Sequence, residues 1–180
     1  RLLGENTHGF DSKSTRESLA SFCYKTNSSI PYEANIVKRN CFVVADPLGF
    51  TITDEMLLEK EKVFLNLEPV HFIENSLKNI VFVIGASWES KKYPKEKVVE
   101  VCNKLQQNCL IVWGNEQEKQ EAEWICEHST FAHLAPRLSL KELVAYINSA
   151  DLLIGNDTGP THMAWAQNIA SITLFGPTTP

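Results

Sequence analysis

From residue 79 onward, short apolar runs alternate with longer amphipathic stretches, and this alternation restricts the fold more than any other feature of the chain. Ile80-Val81-Phe82-Val83-Ile84 is unbroken, rich in β-branched residues and closed by Gly85. That pattern suits a strand buried on both faces of a parallel sheet. Pro94 then opens a helix with Val98, Val101, Cys102 and Leu105 on one face. Residues 110–113 read as a second strand stopped by Gly114, and 116–128 as a polar helix turning Ala122, Ile125 and Cys126 inward. Residues 131–134 fit a short third strand. Ser139 and Glu142 have the spacing of a capping box ahead of a helix carrying Leu140, Leu143, Val144 and Ile147. A strand over 152–154, a helix started by Pro160 and a strand over 171–175 complete the series. Strands that alternate with helices predict an α/β class with a parallel sheet.

The first part of the chain is less periodic. Residues 17–24 fit a short helix with Leu19, Phe22 and Cys23 on one side, and 35–45 a helix or a mixed segment. Asp46-Pro47-Leu48-Gly49 is a turn, 54–62 is charged, and Asn66-Leu67-Glu68-Pro69 reads as a connector. The expected division is therefore 1–68 and 69–180. A length of 180 residues fits one domain plus part of another, and 43% hydrophobic residues suffice for a sizeable core. A formal net charge of −5 argues against a nucleic-acid binder. Any anionic ligand must then be met by local groups rather than by the overall field. No apolar run is long enough to cross a bilayer, and Arg1-Leu2-Leu3-Gly4 leads into polar sequence unlike a signal peptide. Five cysteines without a CxxC pair indicate reduced thiols in a cytosolic protein rather than a disulfide framework or zinc site. The chain starts with Arg, not Met, and reads as lacking its natural start; the sheet reads as unfinished at Pro180.

The most informative segment is Gly155-Asn156-Asp157-Thr158-Gly159-Pro160-Thr161-His162, which follows a buried strand and enters a helix. In open parallel sheets, ligands sit beyond the carboxyl ends of the strands. A helix N-terminus there offers unpaired N–H groups and the positive end of the dipole. Gly159 allows close approach of the backbone, Pro160 fits the first helical position, and Thr158 adds a hydroxyl. His162 on the first turn can donate to a phosphate or to a departing oxygen. Together these make a pyrophosphate cradle. Helix capping by Asp157 or Thr158 accounts for one polar residue, but not for a carboxylate, a hydroxyl, a glycine and a histidine so close together. The triplet Asp157-Thr158-Gly159 also occurs in aspartic proteases, but the strand–helix context and the lack of a second such triplet argue against one.

This loop, continued through Met163-Ala164-Trp165-Ala166 and on to Leu174-Phe175-Gly176-Pro177-Thr178-Thr179-Pro180, resembles the signature of the ADP-heptose:lipopolysaccharide heptosyltransferases. The combination of D-T-G-x-x-H with F-G-P-T-x-P carries the resemblance. It implies a glycosyltransferase-B fold: a Rossmann-like domain that binds the nucleotide-sugar, here 69–180, and the C-terminal remnant of an acceptor domain, here 1–68. Gly85-Ala86-Ser87-Trp88-Glu89-Ser90-Lys91-Lys92-Tyr93-Pro94 is similar to the family's loop in which a small hydroxyl residue and a lysine meet the donor phosphates. Ser87 and Lys91 hold those places. Trp113-Gly114 with Glu118 resembles the loop whose glutamate meets the ribose; a surface glutamate at a helix start is the alternative. Pro136-Arg137-Leu138-Ser139-Leu140 resembles the segment whose apolar residue, Leu138, packs on adenine; ordinary core or a hydrophobic staple is the alternative. Ser14-Thr15-Arg16-Glu17-Ser18-Leu19-Ala20-Ser21-Phe22-Cys23-Tyr24 is similar to a stretch of the heptosyltransferase I branch, where the arginine, here Arg16, faces the anionic acceptor. Asn35 stands where many relatives carry an acceptor-side histidine.

The resemblance implies inverting transfer of heptose from ADP-heptose to Kdo–lipid A, without a cofactor or metal. Lys91 and His162 would assist departure of ADP; Ser87, Lys91, Glu118, Leu138, Asp157, Thr158, Gly159 and His162 would bind the donor; Arg16 and Asn35 would face the acceptor. The general base belongs to the family's N-terminal portion, which the resemblance does not cover. It further implies a cytoplasmic protein in peripheral contact with the inner membrane. Heptosyltransferase II, a related core glycosyltransferase and an inactive ADP-binding fragment are the alternatives. A dinucleotide-dependent oxidoreductase would need G-x-G-x-x-G after the first strand, and residues 85–91 hold no second glycine. Asp157 and His162 lack a third metal ligand nearby in sequence.

Overall fold

The computed structural model describes residues 6–68, 70, 72 and 76–176. The chain divides into two compact units, Arg1–Lys60 and Glu61–Pro180.

In the smaller unit, β1 (His8–Phe10) pairs in parallel with β2 (Thr26–Ser28), His8 opposite Thr26 and Phe10 opposite Ser28. So short a ladder gains support from side chains. The His8 ring lies with Nδ1 2.8 Å from Thr26 Oγ1 and Nε2 2.7 Å from Ser28 Oγ, and the Ser28 hydroxyl donates to Asp46 at 2.5 Å. The helix expected at 17–24 is a 3-10 segment, Ser18–Cys23, and its apolar side does not face a core. Leu19 and Phe22 are 78% and 80% exposed, whereas Ser21 is buried. With three residues per turn, the row containing 19 and 22 points away from the row containing Ser21. Ser21 is further drawn in by its hydroxyl bond to the Ser18 carbonyl at 2.6 Å.

Helix α1 (Ile36–Ala45) begins where the Asn35 side chain accepts from the Val37 amide at 2.9 Å. It buries Arg39, whose guanidinium donates to the Ser14 carbonyl and lies 5.1 Å and 4.6 Å from the ring centroids of Phe10 and Tyr32. Its Nε has no hydrogen-bond partner among the described residues. The turn at 46–49 is a 3-10 turn, Asp46–Leu48, closed by Gly49 at φ +72°, a left-handed value that suits glycine. Helix α2 (Asp54–Leu58) is capped by Thr53.

The larger unit contains the α/β sheet expected from the sequence. Its strands are β3 (Asn79–Val83), β4 (Asn108–Val112), β5 (Ala132–Leu134), β6 (Leu152–Asn156) and β7 (Ser171–Leu174), all parallel, in the order β5-β4-β3-β6-β7. Helices α3 (Lys95–Leu105), α4 (Glu116–His128), α5 (Leu140–Asn148) and α6 (Gly159–Ala166) lie between them. Alternation along β3 sends Ile80, Phe82 and Ile84 into one core with Val98 and Cys102 of α3 and Ala122 and Ile125 of α4. Val81 and Val83 face a second core with Ile147 of α5 and Ala164 of α6. Both sheet faces are thus covered, and burial of each of these valine, isoleucine and phenylalanine side chains is worth roughly 1.5–3 kcal/mol. The capping box forms: Ser139 Oγ accepts from the Glu142 amide and the Glu142 carboxylate from the Ser139 amide at 2.7 Å. Phe64 is fixed to this unit by two bonds with Gln167, at 2.7 and 3.1 Å, ahead of the connector expected at 66–69.

The chain runs outward from β3 through β4 to β5, then crosses by α5 to β6 on the other side of β3. The order reverses between β3 and β6. The loops leaving these two strands therefore diverge to opposite faces and open a crevice at their carboxyl ends, where ligands of such sheets bind.

Candidate functional site

That crevice is a cleft of about 410 Å3. Its rim is formed by Gly85 and Ser87 after β3, Glu118 of α4, and Thr158 and Pro160 at the start of α6. Its wall is apolar, with Val83, Val112, Leu138 and Leu143. Four of the residues expected to bind the donor, Ser87, Glu118, Leu138 and Thr158, therefore line a single cavity. Strands β3 and β6 approach closely beneath it. A Cβ on Gly155 would lie 2.9 Å from Val83 Cβ and 3.0 Å from Thr161 Oγ1, so a side chain there would force the strands apart.

At the polar end, Thr158 occupies the N-cap position of α6, but no side chain caps the helix. The Thr158 hydroxyl turns back to the Asn156 carbonyl at 3.3 Å. The Thr161 amide folds onto the Thr158 carbonyl at 3.1 Å, and Pro160 has no N–H. The Gly159 amide makes no hydrogen bond among the described residues, and a Cβ at Gly159 would meet nothing within 4 Å. The expected cradle is thus narrower than a full turn of amides, and centres on Gly159 at the positive end of the helix.

Lys91 ends the 3-10 turn Glu89–Lys91 and reaches across to the other loop, donating to Asp157 at 2.9 Å. The two side chains are 21% and 27% exposed. His162 Nε2 lies 3.4 Å from the other Asp157 oxygen. The Lys91 hydrogen bond, more than any other influence, holds the Asp157 carboxyl below the ordinary carboxylate range. Gly176 packs beneath this turn: a Cβ there would lie 2.5 Å from the Ser90 carbonyl and 3.2 Å from Lys91 Cα. Residues 177–180 of the F-G-P-T-T-P segment lie outside the described residues.

Glu118 does two things at once. Its carboxylate accepts from the Gly114 amide at 2.7 Å and from Asn115 Nδ2 at 2.8 Å, while Asn115 Oδ1 accepts from the Glu118 amide at 2.9 Å. This is helix-start bonding, the alternative considered for it, yet the same carboxylate sits at the cleft. A Cβ on Gly85 would fall 2.8 Å from one of its oxygens. Trp113, on the wall, donates its indole N–H to the Ala135 carbonyl at 2.8 Å.

One residue of this site stands outside the set chosen from sequence. Asn156, fully buried at the end of β6, donates Nδ2 to the carbonyls of Ile84 (2.8 Å) and Gly85 (3.2 Å) and accepts at Oδ1 from the Tyr93 amide at 3.1 Å. Its own carbonyl accepts from Thr161 Oγ1 at 2.7 Å. The available signal was an amide closing an apolar strand, where a polar side chain must find partners. Arg16 and Asn35 belong to the smaller unit: Arg16 is exposed, and Asn35 is the cap of α1.

None of the five cysteines is in a disulfide, and burial pushes the Cys126 thiol up to about 11. Among the described residues, no three His, Cys, Asp or Glu side chains gather where they could hold a metal ion, and no helix is long and apolar enough to cross a membrane.

Similar proteins can be set beside this geometry. Lipopolysaccharide heptosyltransferase 1 of Campylobacter coli is 33% identical over 194 residues, covering 99% of this chain and 57% of the relative. Lipopolysaccharide heptosyltransferase 1 of Escherichia coli K12 is 27% identical over 187 residues, covering all of this chain and 56% of the relative. The chain therefore spans little more than half the length of these relatives. The solved structure of E. coli heptosyltransferase WaaC with ADP superposes with a TM-score of 0.76 at 22% identity, over 99% of this chain and 57% of the other. WaaC with ADP-2-deoxy-2-fluoro heptose gives 0.73 at the same identity, over 96% and 55%. These likenesses support the glycosyltransferase-B fold expected from the sequence. The family model described as glycosyltransferase family 9 (heptosyltransferase) matches residues 2–180. The chain, with its parallel sheet and its cleft between β3 and β6, belongs to glycosyltransferase family 9, the heptosyltransferases.

Proposed function

We propose that the cleft binds ADP-heptose and that the chain carries the donor half of heptosyltransferase I. The apolar wall suits adenine, with Leu138 against the base. The Glu118 carboxylate, an acceptor, suits the ribose hydroxyls. The diphosphate lies between Ser87, Lys91, Thr158 and the Gly159 amide, where a cation and a helix end neutralise charge that grows as ADP leaves. In the reaction, an acceptor hydroxyl forms a bond to the anomeric carbon as the carbon–oxygen bond to ADP breaks, and configuration inverts. The electron pair departs with ADP, and His162 is assigned to donate toward the leaving oxygen. The hydroxyl proton passes to a general base, which the family resemblance assigns to the relatives' N-terminal portion. Asp157, kept anionic and weakly basic by Lys91, is assigned to orienting the sugar and the loop. The reading uses no metal or cofactor. Arg16 and Asn35 are assigned to the acceptor, Kdo–lipid A, whose carboxylate suits a guanidinium fork. Work on that acceptor implies peripheral contact with the cytoplasmic face of the inner membrane. The names of the relatives, lipopolysaccharide heptosyltransferase 1, support this branch, as do the ADP and ADP-2-deoxy-2-fluoro heptose of the WaaC structures.

The observation that carries the reading is a switch-point cleft lined by Ser87, Glu118, Leu138 and Thr158, with the uncapped start of α6 at its edge and Lys91 joined to Asp157 between the two loops that leave β3 and β6. Calorimetric titration with ADP and ADP-heptose tests it. Lys91→Ala is expected to weaken ADP binding roughly tenfold or more, as loss of a charge-assisted contact does. Asp157→Ala is expected to affect ADP-heptose more than ADP. Unchanged affinity in both variants removes the assignment. Because the 180 residues span little more than half the relatives' length, a second reading applies to this chain taken alone: ADP binding without transfer. Measuring heptose transfer separately from ADP binding distinguishes the two, and offering the heptosyltransferase II acceptor beside Kdo–lipid A tests the branch.

A further inference from the structure

The geometry points to Asn156 as a positioning residue that holds the Lys91 loop in register with the α6 end, so that Lys91 meets the donor diphosphate. This rests on the donor-site reading above. The crevice exists because the loops after β3 and β6 diverge, and divergence alone leaves the Lys91 turn without a fixed distance to Gly159. Asn156 fixes the ends of that loop, while the Lys91–Asp157 bond and Gly176 support its middle. Asn156 belongs to β6, yet its side chain bonds both ends of the other loop: Nδ2 to the Ile84 and Gly85 carbonyls where the loop begins, and Oδ1 from the Tyr93 amide where it ends. All three polar functions of the carboxamide are used, and the residue is fully buried. Its main-chain carbonyl gathers the hydroxyls of Thr158 and Thr161, which sets the first turn of α6. One residue therefore ties three points: the exit of β3, the entry to α3, and the start of α6. Lys91 lies inside the loop so closed, and Asp157 is the next residue of the chain.

No hydrophobic residue of similar size offers two donors and an acceptor in this arrangement. Asn156→Asp keeps the volume and the acceptor for Tyr93, but sets a carboxylate oxygen against two carbonyls. Asn156→Ser keeps a small polar group too short to reach both ends. Neither change removes a group that touches the ligand, so any loss of ADP affinity must act through what Asn156 positions: the loop that carries Ser87 and Lys91, and the start of α6.

The test is ADP titration of the 180-residue chain with five proteins: wild type, Lys91→Ala, Asn156→Ser, Asn156→Asp, and Lys91→Ala combined with Asn156→Ser. The expected result is a roughly tenfold loss for Asn156→Ser, with the double variant within about twofold of Lys91→Ala alone, because the ammonium is the main group that the clamp positions. Additive losses overturn the proposal, as does an Asn156→Ser chain that is less heat-stable but binds ADP as wild type does; both mark a structural role only. Failure of the wild type to bind ADP overturns the donor-site reading instead, so the two failures are distinguishable. Should the Asn156 variants not fold, hydrogen exchange at the Tyr93 amide of the wild type decides. Protection in the free protein that rises with ADP supports the clamp, and an unprotected Tyr93 amide in the folded chain overturns it.

Discussion

The two units reach their structure by different means. In the larger, Val81 and Phe82 are adjacent, point to opposite sheet faces and are both fully buried, one in each core. Its stability rests on non-directional burial spread over many side chains. In the smaller, the largest buried side chain among the described residues is an arginine, held by one carbonyl and two aromatic rings, and the two-stranded ladder is braced by the His8–Ser28–Asp46 contacts. Its stability rests on a few directional contacts, each with its own geometry. Truncation should therefore act on the larger unit through lost volume and on the smaller through lost partners.

The largest expected effect is at Phe82. Phe82→Ala should destabilise the larger unit by about 3–5 kcal/mol, the usual range for emptying a fully buried aromatic site. Urea unfolding followed by tryptophan fluorescence reads this, since Trp113, Trp124 and Trp165 all lie in that unit. A loss below about 1 kcal/mol would mean the core collapses around the cavity, and the contrast between the units would vanish. At Arg39 the expected loss is smaller and depends on what replaces it. Arg39→Ala removes both the stem that packs on Phe10 and Tyr32 and the donor to Ser14, for a cost of about 2 kcal/mol. Arg39→Met keeps much of the stem and discards a buried charge whose Nε is unpaired among the described residues, so its cost should stay within about 1 kcal/mol. Equal losses for Ala and Met would show that the hydrogen bond, not packing, holds the arginine.

The same contrast governs what could be read from sequence. Strands β3, β4 and β6, all four long helices of the larger unit and the capping box at Ser139 were legible, because periodicity and cap chemistry are local signals that burial reinforces. The pairing of β1 with β2 was not, since each has three residues and no alternation to announce it. Leu19 and Phe22 share a helix side, as expected, but the 3-10 period and the Ser21 hydroxyl turn that side outward. At the candidate site, the cluster 155–162 was legible as a unit because glycine, proline and three polar types crowd one strand–helix junction. The Lys91–Asp157 bond and the Asn156 clamp were not, because they link residues more than sixty positions apart and depend on strand order, which sequence alone does not supply.

Helix caps offer a like-for-like probe of the two units. Ser139→Ala breaks a reciprocal box in the larger unit and should cost about 1 kcal/mol. Asn35→Ala removes a single bond at the start of α1 in the smaller unit and should cost about half as much, on the order of 0.5 kcal/mol. Calorimetric melting of each variant checks the ranking, and a larger loss at Asn35 would show that directional contacts in the smaller unit reinforce one another.

The smallest effect expected is the one whose sign is most informative. Asp157 has its folded pKa depressed, first by the Lys91 hydrogen bond, so its contribution to stability is fully present above the unfolded carboxyl value, about 3.8. That contribution is lost as pH falls through the folded value, when the carboxylate takes up a proton and releases Lys91. The pair is partly exposed, so solvent screening keeps it small compared with Phe82 or Arg39. Unfolding free energies of wild type and Asp157→Asn should thus differ by a constant amount from neutral pH down to about pH 4, and converge below it. A difference that widened on acidification would mean that Asp157 is easier to protonate in the folded chain than in the unfolded one. Asp157 would then be burdened by its burial rather than supported by Lys91, and a site prepared for an anion would have to be sought elsewhere in the larger unit.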